Sequence, residues 1–162
     1  MKPKIKKSQN IKPELMQFID KMGLFYESLA IPRIGGRIAG LMLVIDKPIS
    51  ASEIAAILQV SKSSVSSNIR MLLLSGVAEI VRLTGERKDY YIFSDDFLIK
   101  SLEVKMNNLH KLGEITEDGI SILNQSRLSA RKLEEMKEWI QLEKKHNEQF
   151  LNEWMNTHKR QA

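Results

Sequence analysis

The amino-acid sequence predicts a mainly α protein with one small β-hairpin, on three observations. Apolar residues recur at three- and four-residue spacing over most of the chain. A short helix opened by a capping serine is followed, after a tight turn, by a second helix opened the same way. Two stretches rich in β-branched and aromatic residues then flank a basic turn containing glycine.

The chain has 162 residues, 43% hydrophobic and 28% charged, which suits one small domain with an elongated helical appendage. It contains no cysteine, which excludes a disulfide framework, a Cys-based zinc site and a thiol nucleophile. The longest apolar run, Leu41 to Ile45, is far short of the roughly 20 residues that span a bilayer. The lysine-rich start lacks the apolar core of a secretory signal, so the cytoplasm is the expected location and no membrane partner is expected. A net charge of +5 favours polyanionic partners.

Residues 1–12 hold Lys2, Lys4, Lys6, Lys7 and Lys12 with little apolar content and read as a flexible basic arm. Pro13 suits a first helical position, where its missing N–H removes no bond. Leu15, Phe18, Ile19, Met22, Phe25, Tyr26 and Leu29 follow at helical spacing, giving a helix over about 13–30 that ends at Ile31-Pro32. A second helix covers 33–46, with Ile34, Ile38, Leu41, Met42 and Ile45 on one side. Its interior Gly35, Gly36 and Gly40 each forgo about 1 kcal/mol of helix propensity relative to alanine, which points to close approach of another helix. Lys47-Pro48-Ile49 reads as a short extended segment.

Ser50 and Glu53 have the spacing of a capping box. The helix they open carries Ile54, Ala55, Ile57 and Leu58 and stops at Gln59-Val60. Ser61 caps the next helix, whose core face is Val65, Ile69 and Leu72 and whose end is marked by Gly76. Val77 to Leu83 and Asp89 to Phe93 read as two strands joined through Gly85. From Phe97 onward the pattern is helical, with helices near 97–124 and 128–158. Leu102, Met106, Leu109, Leu112 and Ile115 stripe the first. Leu133, Met136, Ile140, Phe150 and Trp154 stripe the second, interrupted by Glu143 and Asn147. A half-apolar seam of this kind fits a dimer or bundle interface.

This order of elements is that of a winged helix-turn-helix over residues 13–96, followed by a helical dimerisation region over 97–162. The second capped helix is informative through its polar face, where Ser61, Lys62, Ser63, Ser64, Ser66, Ser67, Asn68 and Arg70 crowd together. Serine is a middling helix former. Short hydroxyls at a helix N-terminus suit close approach to phosphates and base edges, and Arg70 can reach a guanine edge or a phosphate. Ser63, Ser67 and Arg70 point outward on a helical wheel, flanked by Ser64 and Ser66. Arg87 and Lys88 sit at the hairpin tip, with Arg82 on the incoming strand and Glu86 weakening the local field.

Residues 18–93 resemble the MarR-like winged-helix regulators, specifically the GbsR-type branch. The resemblance rests on Gly36-Arg37-Ile38-Ala39-Gly40-Leu41, on Val60-Ser61-Lys62-Ser63-Ser64-Val65-Ser66 and on Gly85-Glu86-Arg87-Lys88-Asp89-Tyr90-Tyr91, and it covers about half of the chain. Position 59 departs from the pattern, carrying Gln where many such turns carry Gly. The resemblance implies a transcriptional regulator, a repressor by its usual mode, acting as a homodimer on a pseudo-palindromic operator in double-stranded DNA. Recognition helices would enter successive major grooves about 34–36 Å apart. Lys62, Ser63, Ser64, Ser67 and Arg70 become the recognition face, and Arg87 and Lys88 the wing contacts. Some members respond to small effectors such as choline. A quaternary ammonium calls for an aromatic cage, but Phe18, Phe25, Tyr26, Tyr90, Tyr91, Phe93 and Phe97 stand at core spacing and single out no ligand site.

Two other classes fit less well. A winged-helix module binding a protein partner would show an acidic or apolar recognition face, whereas this one is serine-rich and basic. A di-iron bundle needs two Glu-x-x-His pairs, and Glu143 with His146 is the single one. No phosphate loop or Ser-His-Asp spacing stands out, so neither enzyme activity nor a cofactor is expected.

Overall fold

The computed structural model describes residues 11–158. The lysines at positions 2, 4, 6 and 7 of the expected basic arm lie outside those residues. Among the described residues the elements follow in the order α1 (Pro13–Ser28), α2 (Arg33–Ile45), β1 (Ile49–Ser50), α3 (Ala51–Leu58), α4 (Lys62–Leu74), β2 (Ala78–Val81), β3 (Tyr90–Phe93), α5 (Phe97–Gln125) and α6 (Arg131–His158). The chain divides into two compact units, the first ending at Phe97 and the second beginning at Leu98.

In the first unit α2 is the central element, with Ile38 and Leu41 wholly buried beside Ile19 of α1, Ile54 of α3 and Val65 of α4. The glycines of α2 face two neighbours. A Cβ on Gly36 would stand 2.8 Å from both the Met22 carbonyl oxygen and Tyr26 Cβ, and one on Gly40 would stand 3.0 Å from Met22 Cβ. These positions let α1 lie against the α2 backbone, the close approach that their low helix propensity predicts. Gly35 performs the same service for α4, where a Cβ would meet the Met71 methyl at 2.7 Å.

The sheet has three strands in the order β1-β3-β2, all antiparallel. The hairpin pairs Ala78 with Phe93 and Val81 with Tyr90. The third strand, β1, pairs Ile49 with Tyr91 and Ser50 with Tyr90. The sequence marks this segment only as extended, because two residues carry no alternation to read. Its pairing ties the loop-side half of β3 to the start of α3.

The second unit is an antiparallel helix pair whose seam runs differently from the predicted stripes. Leu102, Met106, Leu109, Gly113 and Thr116 of α5 turn toward α6, which answers with Leu133, Lys137, Ile140, Lys144, Asn147 and Leu151. Leu112 and Ile115 lie outside this seam, 42% and 67% exposed, whereas Met136 borders it, its Sδ accepting the Thr116 hydroxyl at 3.6 Å, and Phe150 lines a groove with Leu102 and Trp154. The true seam keeps heptad spacing but passes through small and polar residues, so an apolar count drifts onto the neighbouring row. Lys105 Nζ lies 2.8 Å from Glu143 Oε1, and Lys137 Nζ lies 3.0 Å from Glu117 Oε1. Lys144 Nζ stands 3.3 Å from His110 Nδ1. Gly119 admits Leu133, whose Cδ1 would be 2.8 Å from a Cβ there.

Candidate nucleic-acid interface

The presenting surface is built by two capped helices. The Ser50 backbone N–H donates to Glu53 Oε2 at 2.9 Å, and the Glu53 N–H donates back to Ser50 Oγ at 3.4 Å. A further bond from Ser50 Oγ to Glu53 Oε2, at 2.5 Å, closes the capping box. That hydroxyl bond is the main cause of a Glu53 carboxyl held below its ordinary pKa, with smaller contributions from Lys88 and Lys47.

At the other end of α3, Gln59 adopts the left-handed conformation, φ 54°, that glycine takes without strain. The Val60 N–H bonds the Ala55 carbonyl at 3.1 Å, and the Val60 side chain packs on the core. Ser61 Oγ then accepts the Ser64 N–H at 3.1 Å and starts α4. Glutamine therefore supports the tight turn at that position, and the departure from Gly leaves the two-helix geometry in place.

On α4, Val65, Ile69 and Leu72 are buried. Ser61, Lys62, Ser63, Ser66, Ser67 and Arg70 are exposed, and Ser64 is half-buried. Ser67 Oγ donates to the Ser63 carbonyl at 3.1 Å, which leaves its oxygen free to accept. Ser61 Oγ and Ser63 Oγ are 3.0 Å apart. Asn68 differs from its polar neighbours. It turns inward toward Gly35 and donates from Nδ2 to the Ser64 carbonyl at 2.8 Å. Helical spacing alone could have placed Asn68 beside Val65 and Ile69, but its polarity groups it with the serines.

The hairpin tip turns at Gly85, φ 84°, with the Glu86 N–H bonded to the Leu83 carbonyl at 3.1 Å. Arg87 and Lys88 are exposed there. Lys88 Nζ lies 6.0 Å from the Tyr90 ring centre, close enough for a weak cation–π attraction. Arg82 Nε stands 3.7 Å from Asp89 Oδ1 in an open setting where screening leaves little energy. α4 and the hairpin thus offer hydroxyls, a short backbone approach and exposed cations, the set of groups that phosphates and base edges recognise.

The candidate aromatics form two T-shaped pairs, Phe25 with Tyr26 at 5.5 Å and Phe93 with Phe97 at 5.4 Å. Tyr91, Phe93 and Phe97 pack on the core of the first unit. Glu143, the carboxylate of the single Glu-x-x-His pair, accepts from Lys105 and from Trp139 Nε1 at 3.1 Å. Among the described residues no three His, Cys, Asp or Glu side chains cluster as a metal site, and no helix is long and apolar enough to cross a membrane.

Fold and surface together define a winged helix-turn-helix protein. No family model matches the chain. It is 28% identical over 130 residues to the HTH-type transcriptional regulator MmpR5 of Mycobacterium tuberculosis, covering 79% of each protein. It is 24% identical over 143 residues to the HTH-type transcriptional repressor OpcR of Bacillus subtilis, covering 75% of this chain and 74% of that one. A crystal structure of a transcriptional regulator matches it with a TM-score of 0.72 and 26% identity, over 89% of this chain and 99% of that chain.

Proposed function

We propose that this protein is a regulator of transcription that binds double-stranded DNA as a homodimer on a pseudo-palindromic operator. The observation that carries the reading is the exposed face of α4, where Lys62, Ser63, Ser66, Ser67 and Arg70 stand on a doubly capped helix pair beside the basic hairpin tip. α4 is the recognition helix and enters the major groove, with Ser61 and Ser64 against phosphate. Arg87 and Lys88 contact the backbone or minor groove from the wing. The named relatives support the reading, since both are helix-turn-helix regulators and OpcR is a repressor. The protein is a MarR-like regulator of the GbsR type, works in the cytoplasm and is not an enzyme. It represses by excluding polymerase, and a small effector would act by changing the spacing of the two recognition helices.

Two apolar surfaces support the homodimer. On α1, Leu15, Phe18, Phe25 and Leu29 are exposed, while Met22 between them packs on Gly40 of α2. Phe25 and Leu29 are more than half exposed. In the second unit Ile115, Trp139 and Leu142 are each about 60% exposed or more. Exposed apolar surfaces of this kind suit burial by another copy. Fluorescence anisotropy with a labelled random duplex across a salt series tests the reading. Phosphate contacts give affinity that falls steeply with salt. A flat response would instead favour a protein-binding module without specific DNA binding.

A further inference from the structure

The side chain of Asn68 is built into the α2–α4 contact in a way that the fold does not require. Its Nδ2 is held by the Ser64 carbonyl of its own helix, 2.8 Å away. Its Oδ1 is buried and meets no donor among the described residues. The amide is wedged at Gly35, where a Cβ would stand 3.1 Å from Oδ1 and 2.7 Å from the Met71 methyl. A Cβ at position 35 would press on both groups.

A buried acceptor without a partner destabilises a fold relative to an apolar side chain of the same shape. Leucine nearly matches asparagine in shape and would join Val65, Ile69 and Leu72 on the same helix side. The amide must therefore supply something in exchange. Its plane is fixed relative to α4 by the Ser64 carbonyl, and its Oδ1 edge lies against Gly35 of α2. A branched aliphatic group has no such anchor and would seat itself by rolling the helix. A roll of about 20° moves side-chain ends at a radius of about 5–6 Å by about 2 Å. Displacements near 1 Å already spoil a preorganised contact.

We infer that Asn68 is a positioning residue, which fixes the roll of the recognition helix on Gly35 and so aims Ser63, Ser67 and Arg70 without touching DNA itself. The inference rests on the DNA-binding reading of α4.

The test uses the full-length chain and its Asn68→Leu variant. Each is titrated with a duplex enriched from a random pool by the parent protein, and with an unrelated duplex, and each is melted thermally. The expected result is a Tm equal to or above that of the parent, a tenfold or greater loss of affinity for the enriched duplex, and affinity for the unrelated duplex within twofold. Unchanged affinity for the enriched duplex would overturn the inference. So would a lowered Tm with parallel weakening on both duplexes, since that describes an ordinary structural residue. A parent chain that enriches no duplex would overturn the DNA-binding reading and this inference with it.

Discussion

Arg37 on α2 holds Asp20 on α1, Nε to Oδ1 at 2.8 Å, and the same guanidinium donates from Nη1 to the Leu58 carbonyl at the end of α3, at 3.3 Å. One side chain therefore joins three helices immediately before the turn into α4. A cation at a helix C-terminus also meets the negative end of its dipole. The Arg37 side chain is 19% exposed and that of Asp20 43%. Hydrogen bonds to charged groups are worth about 1.5–3 kcal/mol, and water access at Asp20 reduces this. Arg37→Ala is expected to lower stability by about 1–2 kcal/mol, measured by urea unfolding. Arg37→Lys should recover only part of that, because one ammonium does not reproduce the two-armed fork.

The capping box makes stability depend on pH in a defined direction. Glu53 titrates below its ordinary value of 4.5 because Ser50 bonds the ionised form. A depressed folded pKa contributes stability that is complete above the unfolded value and is lost as pH falls through the lower, folded one. The parent should therefore lose stability below pH about 4.5 more steeply than Glu53→Gln, which keeps a capping partner but has no charge to titrate. Ser50→Ala should lower stability at neutral pH by about 1 kcal/mol. Denaturant melts at pH 3.5 and 7 measure both; equal pH dependence in the parent and Glu53→Gln would contradict the assignment.

Arg70 is exposed on the outward side of α4. If it reads a base edge, Arg70→Ala should cost roughly 1–3 kcal/mol per half-site in affinity for the preferred duplex and relax preference at one position of each half-site. Competition titrations with point-substituted duplexes measure it. Unchanged affinity and preference would remove Arg70 from the interface.

The wing makes a different prediction. Replacing Arg87 and Lys88 together by alanine should weaken binding to all duplexes alike. It should also reduce the slope of log K against log salt by about 2 per subunit, about 4 for the homodimer, roughly one for each phosphate that is no longer neutralised. An unaltered slope would place the hairpin tip away from DNA.

Much of this architecture is legible in the sequence because local rules and tertiary packing agree. Ser50 with Glu53, Ser61 and Gly76 all mark helix ends that the chain adopts. The glycines of α2 signal close helix contact through their low propensity alone. The strand β1 is not legible, since Ile49 and Ser50 gain their state by pairing with Tyr91 and Tyr90, about forty positions away. Asn68 is misread because polarity suggests water, whereas the residue is turned inward by its place on the helix. In the second unit the α5–α6 seam passes through Gly113, Thr116 and Lys144, types that an apolar count skips. The exposed serines, Arg70, Arg87 and Lys88 are placed where spacing puts them, because surface residues of a capped helix and a short turn follow local geometry.

Two copies of this chain, each presenting α4, should read an inverted repeat. The most direct test is retention of a random duplex pool by the purified protein at two salt concentrations, with sequencing of the retained DNA. Salt-sensitive retention is expected, with enrichment of an inverted repeat whose half-sites are one helical turn apart, about 10–10.5 base pairs, or a multiple of it. Retention that ignores salt, or a retained pool with no shared sequence, would contradict the dimeric reading of DNA through α4.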